Sequence, residues 1–194
     1  MKKFYFIFTF IVMFCVMSCT CSKQEEVKEQ IKVEDLVSTD YAYVDSLYNH
    51  YRFYEVTAKF ENYFDSEFAN SNIEAVNSVF QVITQIDSTS ADSHVLTFIH
   101  IIGQKDTLIV EHGFWVENFP MNDEKIELTF EEAYNKMMSA NCVKPHSKMC
   151  VLRKEVGPID TNVQYIFGNQ QAQVYVDAVT GNVSLNNPVF PVEE

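Results

Sequence analysis

The sequence predicts an α+β fold: two helix-then-antiparallel-meander units, with helices packed on one face of antiparallel sheet. Three observations carry that expectation. Apolar residues at three- and four-residue spacings open each half of the chain, over residues 40–68 and again after Thr129. Each such stretch is followed by segments that alternate apolar and polar residues, the period of a half-buried strand. Short turn clusters separate those segments.

In the first half the helical spacing runs through Val44, Leu47, Tyr48, Tyr51 and Tyr54 to Phe60, Phe64 and Phe68. It is broken near Arg52 to Val56, where "RFYEV" reads equally well as extended chain. Phe80, Val82, Thr84 and Ile86 then share a face of "VFQVITQID", and "DSTSAD" is a turn cluster. "SHVLTFIHIIG" and "DTLIVEHGFWVENF" follow as two strands joined through Gly103 to Asp106, with Leu108, Val110, His112, Phe114 and Val116 on one face. The first half therefore reads as helix followed by a three-stranded meander.

The second half repeats that order without visible residue identity. Thr129 and Glu132 form a capping box, and Phe130, Ala133, Tyr134 and Met137 make one apolar stripe. Asn141 can take the left-handed conformation at the helix end, and Pro145 prevents continuation. Strands are expected at about 148–156, 163–168, 172–177 and 183–186. The last two lie in "QVYVDAVTGNVSL", where Val174 and Val176 share a face and Val183 and Leu185 do so on the return. Asp177 can accept hydrogen bonds from the turn amides, and Gly181 supplies the positive φ of a type I turn plus bulge.

The N-terminus carries a different signal. Lys2 and Lys3 precede the apolar run "FYFIFTFIVMFCVM", shorter than the ~20 residues a spanning helix needs. The run ends in "VMSC", which resembles a bacterial lipobox. That resemblance implies removal of Met1 to Ser18 and lipidation of Cys19. Residues 19–39, rich in Lys and Glu, read as a flexible tether; "SKQEE" resembles a signal that sends some bacterial lipoproteins to the cell surface. The expected organisation is signal peptide 1–18, lipidated tether 19–39, an N-terminal α+β unit 40–122 and a C-terminal unit 123–194. The expected location is the cell envelope, as an outer-membrane lipoprotein facing the periplasm or the surface.

Losing Lys2 and Lys3 takes the formal charge from -13 to -15. So acidic a chain is repelled by nucleic acid and by anionic head groups. Membrane attachment then rests on the acyl chains at Cys19.

"LTFEEAYNKM" together with Val176, Asp177, Ala178, Thr180, Gly181 and Val183 resembles the opening helix and closing hairpin of PepSY domains. The likeness covers about residues 128–187. The loop "NCVKPHSKMC" and the insert "VGPIDTN" do not align, and residues 40–120 lack the signature, being either a diverged copy or something else. PepSY domains occur in propeptides of secreted metallopeptidases and in envelope proteins, linked to inhibition or regulation of peptidases. They are not known as enzymes. The resemblance implies a non-catalytic protein whose partner is another protein, with a peptidase as the candidate. The hairpin is structural, so no binding residue carries over.

The residues themselves offer little chemistry. Cys142 and Cys150 bracket a loop whose closure by a disulfide contributes roughly 2.5 kcal/mol, and an envelope location permits the bond; two free thiols are the alternative. Cys21, in the tether, reads as unpaired. Cys142 and His146 lack a third member for nucleophilic catalysis. His100 and His112 share a face if Ile102 pairs with Leu108, but without a further ligand they make no metal site. There is no Gly-rich phosphate loop, HExxH or Gly-x-Ser-x-Gly. The expectation is no catalytic residue, no metal and no cofactor. Two readings remain: binding, inhibition or regulation of a secreted or envelope peptidase, and an accessory or structural envelope lipoprotein. The second would take a small apolar ligand or an assembly partner on its sheet face, with Trp115, Tyr175 and Phe190 as candidate contacts.

Lipidation is directly testable. Cys19→Ala should release the protein from the membrane fraction and abolish the lipid-bearing N-terminal peptide in mass spectrometry. A variant that still sediments with membranes, beside a wild type without lipid, overturns the assignment.

Overall fold

The computed structural model describes residues 31–85 and 91–190. Cys19, Cys21, the expected signal peptide and most of the expected tether lie outside them. The order of elements is α1 (Val33–Leu47), β1 (Tyr51–Phe60), β2 (Ile73–Gln85), β3 (Ala91–Ile101), β4 (Thr107–His112), α2 (Phe130–Ser139), β5 (Met149–Arg153), β6 (Gln164–Asn169), β7 (Ala172–Asp177) and β8 (Val183–Ser184). The strands form one antiparallel sheet in the order β4-β3-β2-β1-β5-β6-β7-β8.

Two expectations are corrected here. The fold is not a balanced α+β pair of separate units. Among the described residues helix accounts for 16% and strand for 39%, in a single eight-stranded sheet. The reason is the pairing of β1 with β5, which fuses the two meanders at their first strands. The first meander also has four strands rather than three, because "RFYEVTAKF" is β1 and not helix.

Helix α1 starts earlier than expected. Val33, Asp40 and Val44 are buried along one stripe, with Val37 and Tyr41 packed beside them. Residues 33–39 of the expected tether are thus helical. Spacings of four, three and four carry that stripe, and the Lys- and Glu-rich sequence that runs up to Lys32 hides its start from composition. The helix ends where the Tyr48 N–H bonds to the Val44 carbonyl, and the chain turns into β1.

In β1 the register with β2 shifts between Phe53 and Glu55, a bulge that lets both Phe53 and Tyr54 be buried. After it, Val56, Ala58 and Phe60 alternate into the core. The matching positions are Val76, Phe80 and Val82 on β2, Leu96 and Phe98 on β3, Cys150 and Leu152 on β5, Tyr165 and Phe167 on β6, and Val174 and Val176 on β7. Both helices cover this face. Phe53, Phe80 and Tyr41 cluster beneath α1, and Phe60 stacks on Tyr134 of α2 with ring centroids 5.4 Å apart. The first turn of α1 also reaches α2: the Phe130 N–H donates to Glu34 Oε1 at 2.8 Å, a carboxylate at a helix N-terminus.

The second half follows most of its signals, although α2 ends at Ser139 with Ala140 extended and Asn141 is not left-handed. The Thr129 hydroxyl accepts from the Glu132 N–H, while the Glu132 carboxylate accepts from the Thr129 N–H, completing the capping box. In the last hairpin Asp177 Oδ1 accepts from the Val179 and Thr180 amides at 2.9 and 2.8 Å. These bonds help hold its carboxyl below the usual aspartate range against the opposing effect of burial. Gly181 has φ +72°.

A side chain at Gly181 would meet Lys136 Cε at 3.2 Å, a flexible end that can move aside. The cost of substitution is therefore backbone strain. Gly181→Val should lower stability by at least about 1 kcal/mol, read as a reduced urea midpoint, with Gly181→Asn milder. An unchanged midpoint for the valine variant would refute the turn assignment.

Candidate functional site

Three features stand out: an open sheet edge, a buried polar cluster on each side of the sheet, and a cleft beside α1. The edge is β4. Every one of its residues is exposed, including Leu108, Ile109 and Val110, the last at 55%. Phe114 and Val116 extend the apolar surface past its end. The Gly113 N–H bonds to the Ser93 carbonyl on the β3 side. Main-chain groups alternate sides along an antiparallel strand, so Leu108, Val110 and His112 turn their N–H and C=O groups outward. This edge lacks a partner strand among the described residues.

Beneath α1 lies the first polar cluster. Ser78 Oγ donates to Asp40 Oδ2 at 2.5 Å, and His100 Nε2 lies 3.0 Å from Asp40 Oδ1. His100 Nδ1 lies 2.9 Å from Asp106 Oδ1. Burial works to lower the His100 pKa, but the Asp106 and Asp40 carboxylates outweigh it and raise it above the usual histidine value. Burial also raises the Asp40 carboxyl, against the pull of Ser78 and His100. The group names resemble those of a catalytic triad, yet the carboxylate stands between serine and imidazole. With Asp40 holding the hydroxyl and Ser78 fully buried, this arrangement ties α1 to β2 and β3.

On the opposite face, Arg153 lies between Glu155 Oε1, at 2.7 Å, and Glu55 Oε2, at 3.6 Å. Asn118 bridges Glu55 and the Trp115 indole, whose ring packs near Tyr54. Burial raises the Glu55 carboxyl, with Arg153 acting against it. The Arg153 Nε and Glu155 Oε2 atoms are buried without a protein partner. Back on the helix face, a cleft of about 370 Å³ lies between α1 and the segment 121–126, lined by Val33, Val37, Tyr41, Met121, Ile126 and Phe130 among others.

Several sequence-expected residues are placed differently. Cys142 and Cys150, expected as a disulfide pair, are unbridged thiols in this structure. Cys150 is fully buried in mid-sheet, paired with Ala58 and Phe167, and burial pushes its thiol pKa well up. The loop is held instead by Lys144, whose ammonium donates to the Met137 and Ala140 carbonyls at the end of α2. His146 gives Nδ1 to Asp65 and stacks on Tyr63. Of the candidate contacts, Trp115 is half-buried and Tyr175 buried, while Phe190 is exposed. The β3–β4 register pairs Phe98 with Leu108 and His94 with His112, so Ile102 does not oppose Leu108. Sequence reasoning missed Asp40, His94 and Asp92; polar residues spaced two apart on a strand were the available signal for the last two.

The chain matches no family model, no curated protein and no solved structure.

The His100 cluster gives a pH prediction. A folded pKa above the unfolded value of about 6.5 contributes stability that is full below that value. It is lost as pH rises through the folded pKa. The urea midpoint should therefore fall as pH is raised from 6 toward 9, with a flatter profile in His100→Gln. That variant should itself lose about 3–5 kcal/mol, because Asp40 remains buried without its partner. Equal pH slopes in both proteins would refute the role.

Proposed function

We propose that this protein is a non-catalytic envelope lipoprotein that binds a protein partner by strand addition at β4, with a secreted or envelope peptidase as the favoured partner. The observation that carries the reading is the edge strand exposed along its whole length, with Leu108, Ile109 and Val110 at its centre. Open edges are ordinarily blunted by charge, proline or a bulge, and none interrupts these three residues. An extended segment pairing there would gain main-chain hydrogen bonds from Leu108, Val110 and His112, with side chains adding apolar contact. The peptidase preference comes from the PepSY resemblance of residues 128–187. Lipidation at Cys19 would place the edge at a membrane surface, in reach of envelope partners. The formal charge of -15 after loss of Lys2 and Lys3 favours a partner with basic groups around its strand.

The accessory-lipoprotein reading has its own support in the cleft between α1 and the segment 121–126. Its apolar lining and its volume of about 370 Å³ suit a small apolar ligand. That ligand would sit on the helix face, away from Trp115 and Tyr175.

Substitution along β4 separates the two. Val110→Pro removes an N–H that faces outward, and Val110→Lys places charge on the edge. Both should leave the folded state intact and weaken binding to a captured peptidase at least roughly tenfold, a change of about 1.4 kcal/mol. Val37→Trp, which fills the cleft, should leave that binding unchanged. Peptidase binding insensitive to β4 but lost on filling the cleft would overturn strand addition. Absence of binding to any secreted peptidase of the same cell would overturn the peptidase assignment.

A further inference from the structure

We propose a zinc-class metal site at the open edge of the sheet, formed by Asp92, His94 and His112. His94 on β3 and His112 on β4 are directly opposed in the register. Since the neighbouring Ser93 and Gly113 share a main-chain hydrogen bond, His94 and His112 form a non-hydrogen-bonded pair, the closer kind of cross-strand pair. Their rings stand 5.4 Å apart, edge to face. Asp92, two residues before His94 on β3, presents its carboxylate to both. Its Oδ1 is 2.7 Å from His112 Nε2, and its Oδ2 is 3.5 Å from His94 Nε2.

Two imidazoles and one carboxylate are the donor set of a borderline divalent transition ion, not of magnesium or calcium. Metal–ligand bonds of 2.0–2.1 Å at tetrahedral angles place donor atoms roughly 3.3 Å apart. The Asp92–His94 separation is already close to that. Among the described residues no metal-coordinating group is preassembled, because His112 now spends its Nε2 on Asp92. A metal ion would replace that shared proton. The His112 side chain is 77% exposed, so its ring can swing outward by the fraction of an ångström required. His94 and Asp92, at 29% and 26%, are held more firmly. This leaves a fourth position open to water or to a partner's side chain.

Such an ion would clip β4 to β3 beside the edge that a partner strand would meet. The site stands independently of the proposed partner.

The test is a titration of the full chain with Zn²⁺ against a chromophoric chelator at pH 7.5, in a buffer free of phosphate. The expected result is a site with micromolar or tighter affinity that weakens at least roughly tenfold in both His94→Ala and His112→Ala. Asp92→Asn should weaken it as well, while His146→Ala should not. Zn²⁺ should also slow hydrogen exchange of the β4 amides, an effect absent in His112→Ala. Because His112 is exposed, that variant should keep the wild-type circular dichroism and urea midpoint. Zinc affinity and stoichiometry unchanged in the His94→Ala/His112→Ala double variant would overturn the site, and so would wild-type affinity weaker than about 1 mM.

Discussion

The antiparallel pairing of β1 with β5 is the constraint on which the rest of the structure depends. It sets Glu55 against Arg153, Val56 against Leu152, Thr57 against Val151, Ala58 against Cys150 and Lys59 against Met149. A slip of one residue would turn Val56, Ala58 and Phe60 out of the core and bury Glu55 and Lys59 there. Both faces guard the register: apolar contacts under the helices, and Glu55 with Arg153 on the other side. The pair is also the most costly to form, since its partners are far apart in sequence. Neither half completes its core alone, because Phe60 from the first half is stacked on Tyr134 from the second.

The topology follows from that join. Two meanders fused at their first strands must place their last strands at the two edges. The two ends are treated differently. β8 is two residues long, and the chain beyond it packs back so that Val189 is buried and its carbonyl accepts from the Ile159 N–H. β4 has six residues, all exposed. The asymmetry between edges is what singles out β4, rather than any side chain on it.

The parts of this fold legible in the sequence were those written locally. The capping box of Thr129 and Glu132, the stripe on α2, and the Asp177–Gly181 turn need only neighbours in the chain. What sequence reading misassigned depended on distant contacts. "RFYEVTAKF" carries aromatic residues at spacings that suit a helix, and it became a strand because β2 and β5 flank it. Helix α1 was read late because its buried stripe includes Asp40, a residue that counts as polar until Ser78 and His100 are seen to satisfy it. The surroundings of Cys150 were hidden for a related reason. Cys150 proved to be a small core residue opposite Ala58, where the loop-length argument has no information.

The same reasoning explains why candidate sites were hardest to read. Strand addition uses main-chain groups that every residue has, so only the sheet order reveals which of them are unused. A cross-strand histidine pair is equally silent until register is known. The sequence draws attention to His100 and His112, which lie on the same face but in different surroundings. Moving the β3–β4 pairing into its actual register puts His94 opposite His112 and brings Asp92 alongside. His100 then falls beneath α1, where two carboxylates make it part of the scaffold. One register therefore decides which histidine supports the fold and which ones are left at the surface with donor atoms to offer.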